Sequence, residues 1–310
     1  MEIKRVIIKS RYGGKDQIEE KIRVNPELNW EIALKNEPCD YYLSFDIAKI
    51  DFNSEASKYI LIRREPKIVL PECYKTKFLA KYDQIIDIGL KTNGNSLSIN
   101  RPQSLNYKVP ETVRNNERIV MIASNLLSIR EKELYSLRRK CARQIHSLDL
   151  FGFGWDRNNL SKMKLLLVEV IKFIKVPSKI SYKGVSNYFR NFKAQMGHVA
   201  DKHFTLAKYK YTLVIENSLD CFSEKLFDAL IAGCIPIYVG VNPQLFDIPE
   251  GIYVNSEPDI DSIKSAIKKA KQIDYILWRE RTTEWLGRTE TINQWSESKF
   301  LLHLKKIIEA

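Results

Sequence analysis

The segment that most constrains the fold runs from Tyr209 to Gly240 and reads YKYTLVIENSLDCFSEKLFDALIAGCIPIYVG. Its run YTLVIE is almost continuously apolar, which is typical of a parallel strand that is buried on both faces. LFDALIA has helical character, Gly233 provides a helix stop, and IPIYVG is a second apolar strand. Two parallel strands joined by a helix form a right-handed βαβ unit, so the pattern predicts an α/β fold.

Polar residues interrupt this segment where the first strand meets the helix. They are Glu216, Asn217 and Ser218, followed by Ser223, Glu224 and Lys225. Ser223 stands where an N-cap belongs, and the free N–H groups of a helix N-terminus attract phosphate. Lys225 adds positive charge, and the Glu224 carboxylate can accept two hydrogen bonds from a ribose diol. These residue types match the groups of a nucleoside diphosphate. The plainer interpretation is that Glu224 only stabilises the helix dipole, Lys225 is solvated and Asn217 is a turn residue.

Strand-like runs alternate with helical runs along most of the chain, which predicts parallel sheets with helical crossovers. The predicted strands cover 5–9, 40–46, 58–66, 82–89, 117–125 and 147–155, and the predicted helices cover 129–145, 163–175 and 260–273. Residues 91–110 are rich in Asn, Ser and Pro, as in a linker or long connecting loop. We therefore predict two Rossmann-like domains, 1–110 and 111–295, facing each other across a cleft, and a C-terminal helix at 296–310.

The composition narrows the class of protein. A chain of 310 residues, 44% of them hydrophobic, is long enough for two domains, and a formal net charge of +12 favours an anionic partner. Five cysteines without a CxxC pair indicate a reduced, cytoplasmic protein, and the four histidines lack metal-ligand spacing. With no GxxxxGK[ST] loop and no GxGxxG motif, neither a P-loop NTPase nor a dinucleotide dehydrogenase is supported.

Two further alternatives concern the positive charge and possible membranes. The N-terminal stretch MEIKRVIIKSRYGG has no apolar signal segment, which predicts a cytoplasmic protein. Charge alone permits a nucleic-acid-binding protein, but no RNP, helix-turn-helix or zinc-finger signature accompanies it, so we expect no nucleic-acid partner. The basic helix at 260–273 predicts either a solvated face or peripheral contact with an anionic membrane surface.

The segment 209–240 also resembles the hallmark of the family 10 glycosyltransferases, the α-1,3/1,4-fucosyltransferases. The resemblance rests on IENS (215–218), SEKL (223–226) and GCIPIYVG (233–240), which follow one another in the family's order, although several members have a loop longer than the six residues between Asn217 and Glu224. Weaker matches are IASN (122–125) followed by Arg130, YKG (182–184) and KYILIRREP (58–66). The resemblance covers most of the chain, strongly in its second half and loosely in its first.

This resemblance implies a GT-B fold, GDP-fucose as the donor substrate with no required cofactor, and inversion at the anomeric carbon. The acceptor would be an oligosaccharide or a lipid-linked glycan. The implied donor-binding residues are Arg130, Lys183, Asn217, Ser218, Ser223, Glu224 and Lys225. Among them, Arg130 and Lys225 correspond to ligands of the diphosphate and Glu224 to a ligand of the ribose. Asn217 would lie near the diphosphate and the sugar.

The chain departs from the family pattern in three places. Cys221 stands where several members have a tyrosine, and the spacing from Asn125 to Arg130 differs by one residue. Golgi members carry an N-terminal membrane anchor, which this N-terminus lacks, so the resemblance favours a bacterial-type enzyme. Two alternatives therefore stay open: a GT-B transferase that uses another nucleotide sugar, and a glycan-binding relative without catalysis.

An inverting transfer requires a base that takes the proton from the acceptor hydroxyl. The resemblance assigns this role to Glu65, at the carboxyl end of the strand YILIRRE, with Asp46 as the reserve candidate. Arg63 and Arg64 are expected to hold Glu65 ionised; the plainer interpretation is a surface Arg–Glu cluster. No DxD motif stands at the end of a strand, so we expect no metal and activity that persists in EDTA.

Overall fold

The computed structural model describes residues 2–11, 14–34, 37–47, 55–90, 96–105, 113–185, 187–192 and 195–310. The chain divides into two compact units. Residues 1–102 and 294–310 form the N-terminal unit, and residues 103–293 form the C-terminal unit. The last helix of the chain therefore belongs to the unit that the first hundred residues build.

The described residues form eleven strands and ten α-helices. The strands are β1 Lys4–Ser10, β2 Trp30–Ile32, β3 Cys39–Phe45, β4 Ala56–Arg63, β5 Gln84–Ile88, β6 Leu97–Ile99, β7 Asn115–Ile122, β8 Leu148–Phe151, β9 Tyr209–Ile215, β10 Ile235–Val239 and β11 Val254–Asn255. The helices are α1 Lys15–Arg23, α2 Thr76–Leu79, α3 Tyr135–Gln144, α4 Asn159–Lys175, α5 Lys202–Ala207, α6 Lys225–Ile231, α7 Ile260–Lys271, α8 Tyr275–Gly287, α9 Thr289–Trp295 and α10 Glu297–Glu309.

The N-terminal unit is built on a parallel sheet with the order β2-β1-β3-β4-β5-β6. Both faces of the sheet are covered, because successive residues of its strands belong to two different apolar clusters. Helix α10 packs against one face through Leu301, Leu304 and Ile308, all of which are buried. Lys58 Nζ adds a hydrogen bond to the Ile308 carbonyl at 3.1 Å.

The C-terminal unit contains a second parallel sheet with the order β11-β10-β9-β7-β8. Its centre is largely apolar: Val120, Leu213 and Ile237 are at most 1% exposed. The chain places β8 beside β7 on one side, and it then returns to place β9 on the other side of β7. The strand order therefore reverses between β7 and β9, which makes this pair a topological switch point. Open parallel sheets bind ligands beyond the carboxyl ends of strands at such a point.

The predicted βαβ unit is confirmed as β9, α6 and β10, and Gly233 ends the helix with a φ of 71°. Two predictions are corrected. Residues 97–99 of the predicted linker form β6, which pairs with β5, while 91–95 and 106–110 lie outside the described residues. The helix predicted over 129–145 begins only at Tyr135, because Arg130 pairs with Ile180 in an isolated bridge instead of entering the helix.

The predicted basic helix is present as α7, and its apolar side is not available to a membrane. Ile263, Ala266 and Ala270 are buried, and the helix contacts β10 and β11, whereas Lys264 and Lys268 are exposed. In the parts of the chain that the structure describes, no helix combines the length and the apolar content needed to span a bilayer.

Candidate functional site

A buried carboxylate organises the loop that follows β9. Glu216 is fully buried, and its Oε2 accepts hydrogen bonds from Ser223 Oγ at 2.7 Å and from Lys225 Nζ at 3.2 Å. Its Oε1 accepts from the Ser223 N–H at 2.9 Å and from the Tyr238 hydroxyl at 3.4 Å. A buried charge is costly unless it is paired and hydrogen-bonded, so this network fixes the loop that carries the predicted donor residues.

The ammonium group of Lys225 is held by this network, and the lysine side chain is partly exposed. The side chain is 22% exposed, and Nζ also donates to Ser223 Oγ at 2.7 Å. Burial lowers the pKa of Lys225, but the carboxylates of Glu216 and Glu224 raise it, and its pKa lies above the ordinary value of 10.5. Lys225 is therefore a fixed positive charge at neutral pH.

The start of α6 differs from the prediction by one residue. The helix begins at Lys225 with Glu224 in the cap position, and Glu224 makes no side-chain cap hydrogen bond. The predicted N-cap Ser223 accepts from the Lys225 N–H at 3.4 Å while it donates to Glu216. Ser223 thus joins the start of the helix to the buried carboxylate.

The two residues that follow Glu216 differ in burial. Ser218 is fully buried and its hydroxyl donates to Asp220 Oδ1 at 2.6 Å. Asn217 is half-buried, and its carbonyl accepts from the Leu134 N–H at 3.0 Å. Ser218 therefore shapes the loop, and Asn217 joins it to the segment before α3.

Arg138 of α3 connects the two central strands of the sheet. It donates to the carbonyl oxygens of Ser124 at 3.3 Å and Ile215 at 2.7 Å. It also donates to Asn217 Oδ1 at 3.0 Å, so it fixes the side chain of a predicted donor residue. Burial lowers the pKa of Arg138, which is 1% exposed. One buried cation thus links the loops that leave β7 and β9 beside the switch point.

Arg139 makes a similar connection one residue later. It donates to Asn125 Oδ1 at 3.3 Å and to the Leu126 carbonyl at 2.8 Å. It also donates to the carbonyl of Gly184, which belongs to the 3₁₀ turn Tyr182–Val185 that carries Lys183. Burial lowers the pKa of Arg139 to about 10. Arg138 and Arg139 thus connect both Asn217 and the turn that carries Lys183 to helix α3.

Arg130 is buried against the C-terminal end of α4. Its guanidinium donates to the carbonyls of Val176 at 2.7 Å and Lys172 at 3.0 Å. It also donates to Ser178 Oγ at 2.8 Å, and the residue is 2% exposed. The Lys172 carbonyl also accepts from the Val176 N–H at 3.0 Å, so Arg130 adds a second donor there and reinforces the C-terminal end of α4. Contact with a diphosphate would require these hydrogen bonds to break.

Two cavities adjoin the predicted donor residues. The larger has a volume of about 470 Å³, and Lys132, Lys140 and Lys183 bring positive charge to its wall. The smaller has a volume of about 130 Å³ and is lined in part by Glu224 and Lys225. Of the seven predicted donor residues, Lys183 lines the larger cavity, and Glu224 and Lys225 line the smaller. The larger cavity is within the roughly 300–1,000 Å³ typical of ligand pockets.

In the N-terminal unit, the arginines that flank Glu65 pair with other carboxylates. Arg63 donates from Nε and Nη2 to the two oxygens of Asp87, at 2.6 and 2.8 Å. Arg64 donates from its backbone N–H and from Nε to the two oxygens of Asp46, both at 2.7 Å. Each of the two arginines thus binds a carboxylate at the end of a neighbouring strand, and their expected effect on the ionisation of Glu65 stays a prediction.

The two candidate bases differ in accessibility. Glu65 is half-buried, two residues beyond β4, and its backbone carbonyl accepts from the Tyr74 hydroxyl at 2.9 Å. Asp46 is 1% exposed, with a φ of 58°, and both of its carboxylate oxygens bind Arg64. Among the described residues, no group of three or more His, Cys, Asp and Glu side chains is placed to hold a metal ion.

Sequence reasoning misses the residues that connect the site. Arg138 and Arg139 lie within a predicted amphipathic helix, where arginines usually occupy the solvated face, and no local signal marks them as buried. Glu216 has a usable signal, because a carboxylate directly after a long apolar run is placed where it must find partners. Its role as the centre of the network requires Tyr238, which comes from the next strand.

No protein-family model and no curated protein sequence matches the chain. Among solved structures, an α1,3-fucosyltransferase with GDP is 15% identical, with 99% of this chain and 90% of that chain covered and a TM-score of 0.51. TarM is 11% identical, with 91% and 54% covered and a TM-score of 0.51. Sucrose-phosphate synthase from Thermosynechococcus elongatus is 12% identical, with 87% and 73% covered and a TM-score of 0.51.

The chain has the GT-B fold. The structures that it resembles are GT-B glycosyltransferases, and the two parallel-sheet α/β domains of this chain correspond to theirs. The predicted fold class is thereby confirmed. Within this fold, the segment between β9 and α6 carries a fixed cation at Lys225, a half-buried amide at Asn217 and a carboxylate at Glu224. These residue types suit an anion that carries hydroxyl groups.

Proposed function

We propose that the protein is an inverting glycosyltransferase that transfers fucose from GDP-fucose to a hydroxyl of an oligosaccharide or lipid-linked glycan. The observation that carries the proposal is the network of Glu216, Ser223 and Lys225 at the carboxyl end of β9. This segment holds the IENS, SEKL and GCIPIYVG motifs that resemble family 10. An α1,3-fucosyltransferase with GDP is among the structures of the same fold.

The proposal gives the donor residues separate roles. Lys225 binds the diphosphate and stabilises the negative charge that the leaving group gains, because a preorganised cation costs no reorganisation during the reaction. Glu224 binds the ribose, and Asn217 contacts the diphosphate and sugar with an amide that Arg138 orients. Lys183 contributes from the wall of the larger cavity.

Three of the predicted donor-binding residues hold the site in shape in this proposal and do not contact the donor directly. The hydroxyls of Ser218 and Ser223 are engaged with Asp220 and Glu216, so they hold the loop in shape. Arg130 is engaged with the end of α4 and pairs with Ile180, so in this proposal it positions the segment that leads to Lys183.

Glu65 is the proposed base. In a single displacement it takes the proton from the acceptor hydroxyl while that oxygen attacks the anomeric carbon and the nucleoside diphosphate leaves. The half-buried carboxylate of Glu65 is a better candidate than Asp46, whose two oxygens are already occupied by Arg64. The role is tested by Glu65→Gln, which should lower the transfer rate and leave GDP binding unchanged.

The donor site is tested by thermal-shift titration with GDP, UDP, ADP and CMP. A ligand that binds only the folded state stabilises it by about 2.7 kcal/mol at a hundredfold excess over Kd. We expect GDP to raise Tm in the wild type and in the control Lys264→Ala, whose lysine is exposed on α7. Lys225→Ala and Glu224→Ala should lose most of this response. Equal responses in all four proteins, or none to any nucleotide, would contradict the proposal.

A GT-B transferase that uses another nucleotide sugar is the second candidate. It is favoured by Cys221, which stands where several family members have a tyrosine and is 1% exposed. A buried thiol cannot supply the hydroxyl or the ring of a tyrosine to a donor. A preference for UDP in the same titration, lost in Lys225→Ala, would select this candidate.

A further inference from the structure

Helix α4 presents an apolar face to solvent. Five of its side chains are between 43% and 71% exposed: Leu160, Met163, Leu167, Ile171 and Ile174. Spacings of three and four residues place them on one side of the helix, where they form a stripe along its 17 residues, here called the α4 stripe. Contiguous apolar patches of this kind are rare on monomeric proteins and mark interaction surfaces.

The opposite side of α4 is attached through charged groups, which fixes the orientation of the helix. Lys162 is fully buried and its Nζ donates to the Arg190 carbonyl at 3.1 Å. Glu169 is 6% exposed and pairs with Lys172 at 2.9 Å. Arg130 binds the carbonyls of the last turn. Turning the helix to bury the stripe would separate Lys162 from the Arg190 carbonyl and the last-turn carbonyls from Arg130 at a large cost, whereas the Glu169–Lys172 pair lies within the helix.

Positive charge borders the α4 stripe. Lys164 and Lys175 are exposed, and on a helical wheel they lie next to Leu160 and Ile171. Within α4, all of whose residues the structure describes, the single acid is Glu169, which is buried and paired. The exposed side of the helix thus combines aliphatic groups with lysines and carries no negative charge.

We propose that α4 docks on an anionic lipid bilayer, with the α4 stripe at the acyl boundary and Lys164 and Lys175 among the headgroups. An amphipathic helix of this composition lies in the membrane interface, and anionic headgroups attract nearby lysines. A second copy of the chain fits this surface less well, because symmetric pairing would bring the same lysines of a chain with net charge +12 together. The proposal is independent of the enzymatic function.

Co-sedimentation of the full chain with vesicles tests this proposal. The wild type should bind vesicles of phosphatidylcholine with phosphatidylglycerol and not those of phosphatidylcholine alone. Leu167→Glu/Ile174→Glu should weaken binding by at least about tenfold, because two aliphatic side chains no longer enter the interface. Lys164→Ala/Lys175→Ala should weaken it by about fivefold per lysine. All four positions are exposed, so Tm should stay unchanged.

The matched control is Lys264→Ala/Lys268→Ala, which removes the same charge from the exposed side of α7. It should retain most of the binding. Three results would overturn the proposal: no binding to the anionic vesicles, an equal loss in the α7 control, or lipid binding unaffected by Leu167→Glu/Ile174→Glu. The wild type could instead self-associate in sedimentation velocity without binding lipid. If Leu167→Glu/Ile174→Glu abolished that self-association, the surface would be assigned to a second copy of the chain.

Discussion

Each unit contains a buried ion pair at the carboxyl end of its parallel sheet, and the two pairs are built differently. In the N-terminal unit, Arg63 and Asp87 form two parallel hydrogen bonds, and their side chains are 5% and 1% exposed. In the C-terminal unit, Lys225 makes one hydrogen bond to Glu216, and the lysine is 22% exposed. Both partners of the first pair are buried, and Asp87 also accepts a hydrogen bond from Ser96 Oγ at 2.6 Å, whereas the second pair includes a lysine side chain that is partly exposed.

We expect this difference to distinguish an ion pair that contributes to stability alone from one that also takes part in ligand binding. A bidentate arginine–carboxylate pair satisfies both partners in a fixed geometry, so it suits a role in holding strands together. An ammonium group has three donors and a flexible stem, so Lys225 can keep Glu216 and Ser223 and still offer a donor to a ligand. We therefore expect variants of the first pair to affect folding alone and variants of the second to affect both folding and nucleotide binding.

The largest effect is expected for Asp87→Ala. It leaves the Arg63 guanidinium buried without its carboxylate, which should lower the free energy of unfolding by about 3–5 kcal/mol. GDP affinity of the folded protein should not change. Urea unfolding and GDP titration measure the two quantities. The control Asp16→Ala, at an exposed position of α1, should cost less than about 0.5 kcal/mol. Similar losses in both variants would show that the Arg63–Asp87 pair contributes little.

A smaller loss of stability is expected for Glu216→Gln. The amide keeps hydrogen bonds to Ser223 but removes the charge beside Lys225, so the free energy of unfolding should fall by about 2 kcal/mol. GDP affinity should fall as well, because Lys225 loses its fixed position. Glu224→Gln should lower the affinity with little change in stability. If Glu216→Gln bound GDP normally, the two ion pairs would be alike and the contrast between them would fail.

A steric change at the same network should destabilise the protein by a similar amount. A Cβ added at Gly240 would lie 2.6 Å from the Tyr238 hydroxyl and 2.7 Å from Glu216 Cγ, so Gly240→Ala should lower the free energy of unfolding by about 1–3 kcal/mol. Gly287→Ala is the matched control, because no atom lies within 4 Å of the Cβ it would add. Chemical denaturation of both proteins should place the larger loss at Gly240, and the reverse order would contradict the close packing around Glu216.

The smallest effect is expected in the pH dependence of stability. The pKa of Lys225 in the folded protein is above its ordinary value of 10.5, so the stability that its charge contributes is complete below pH 10.5 and is lost as the pH rises through the raised pKa. The difference in unfolding free energy between wild type and Lys225→Met should therefore shrink at alkaline pH. Urea titrations at several pH values measure it; a difference that grew above pH 10.5 would reverse the sign of the coupling.

Local sequence determines much of this fold and less of the site. The unit of β9, α6 and β10 is predictable because its apolar runs are continuous and Gly233 adopts a conformation that glycine favours. Strand β6 is not predictable, since three residues in a polar stretch become a strand only by pairing with β5. The late start of α3 has the same origin, because Arg130 and Glu133 pair with residues that follow far along the chain.

For the site, too, local sequence predicts the residues within the motif but not those placed by long-range contacts. The positions of Lys225 and Glu224 follow from the motif, while the burial of Arg138 and Arg139 depends on loops that the sequence separates from α3 by tens of residues. The partners of Arg63 and Arg64 were likewise decided by neighbouring strands rather than by the adjacent Glu65. Roles that depend on long-range contacts thus lie beyond what spacing can indicate.

The place of α10 has a consequence for biosynthesis. Its residues Leu301, Leu304 and Ile308 complete the core of the sheet that begins with β1, although the whole C-terminal unit lies between them in the chain. Domains usually fold in the order in which the ribosome releases them. Here the first sheet to emerge lacks part of its apolar cover until α10 has left the exit tunnel. The nascent N-terminal unit is thus expected to wait, with an apolar surface that chaperones can recognise, until the C-terminal unit and α10 have both been synthesised.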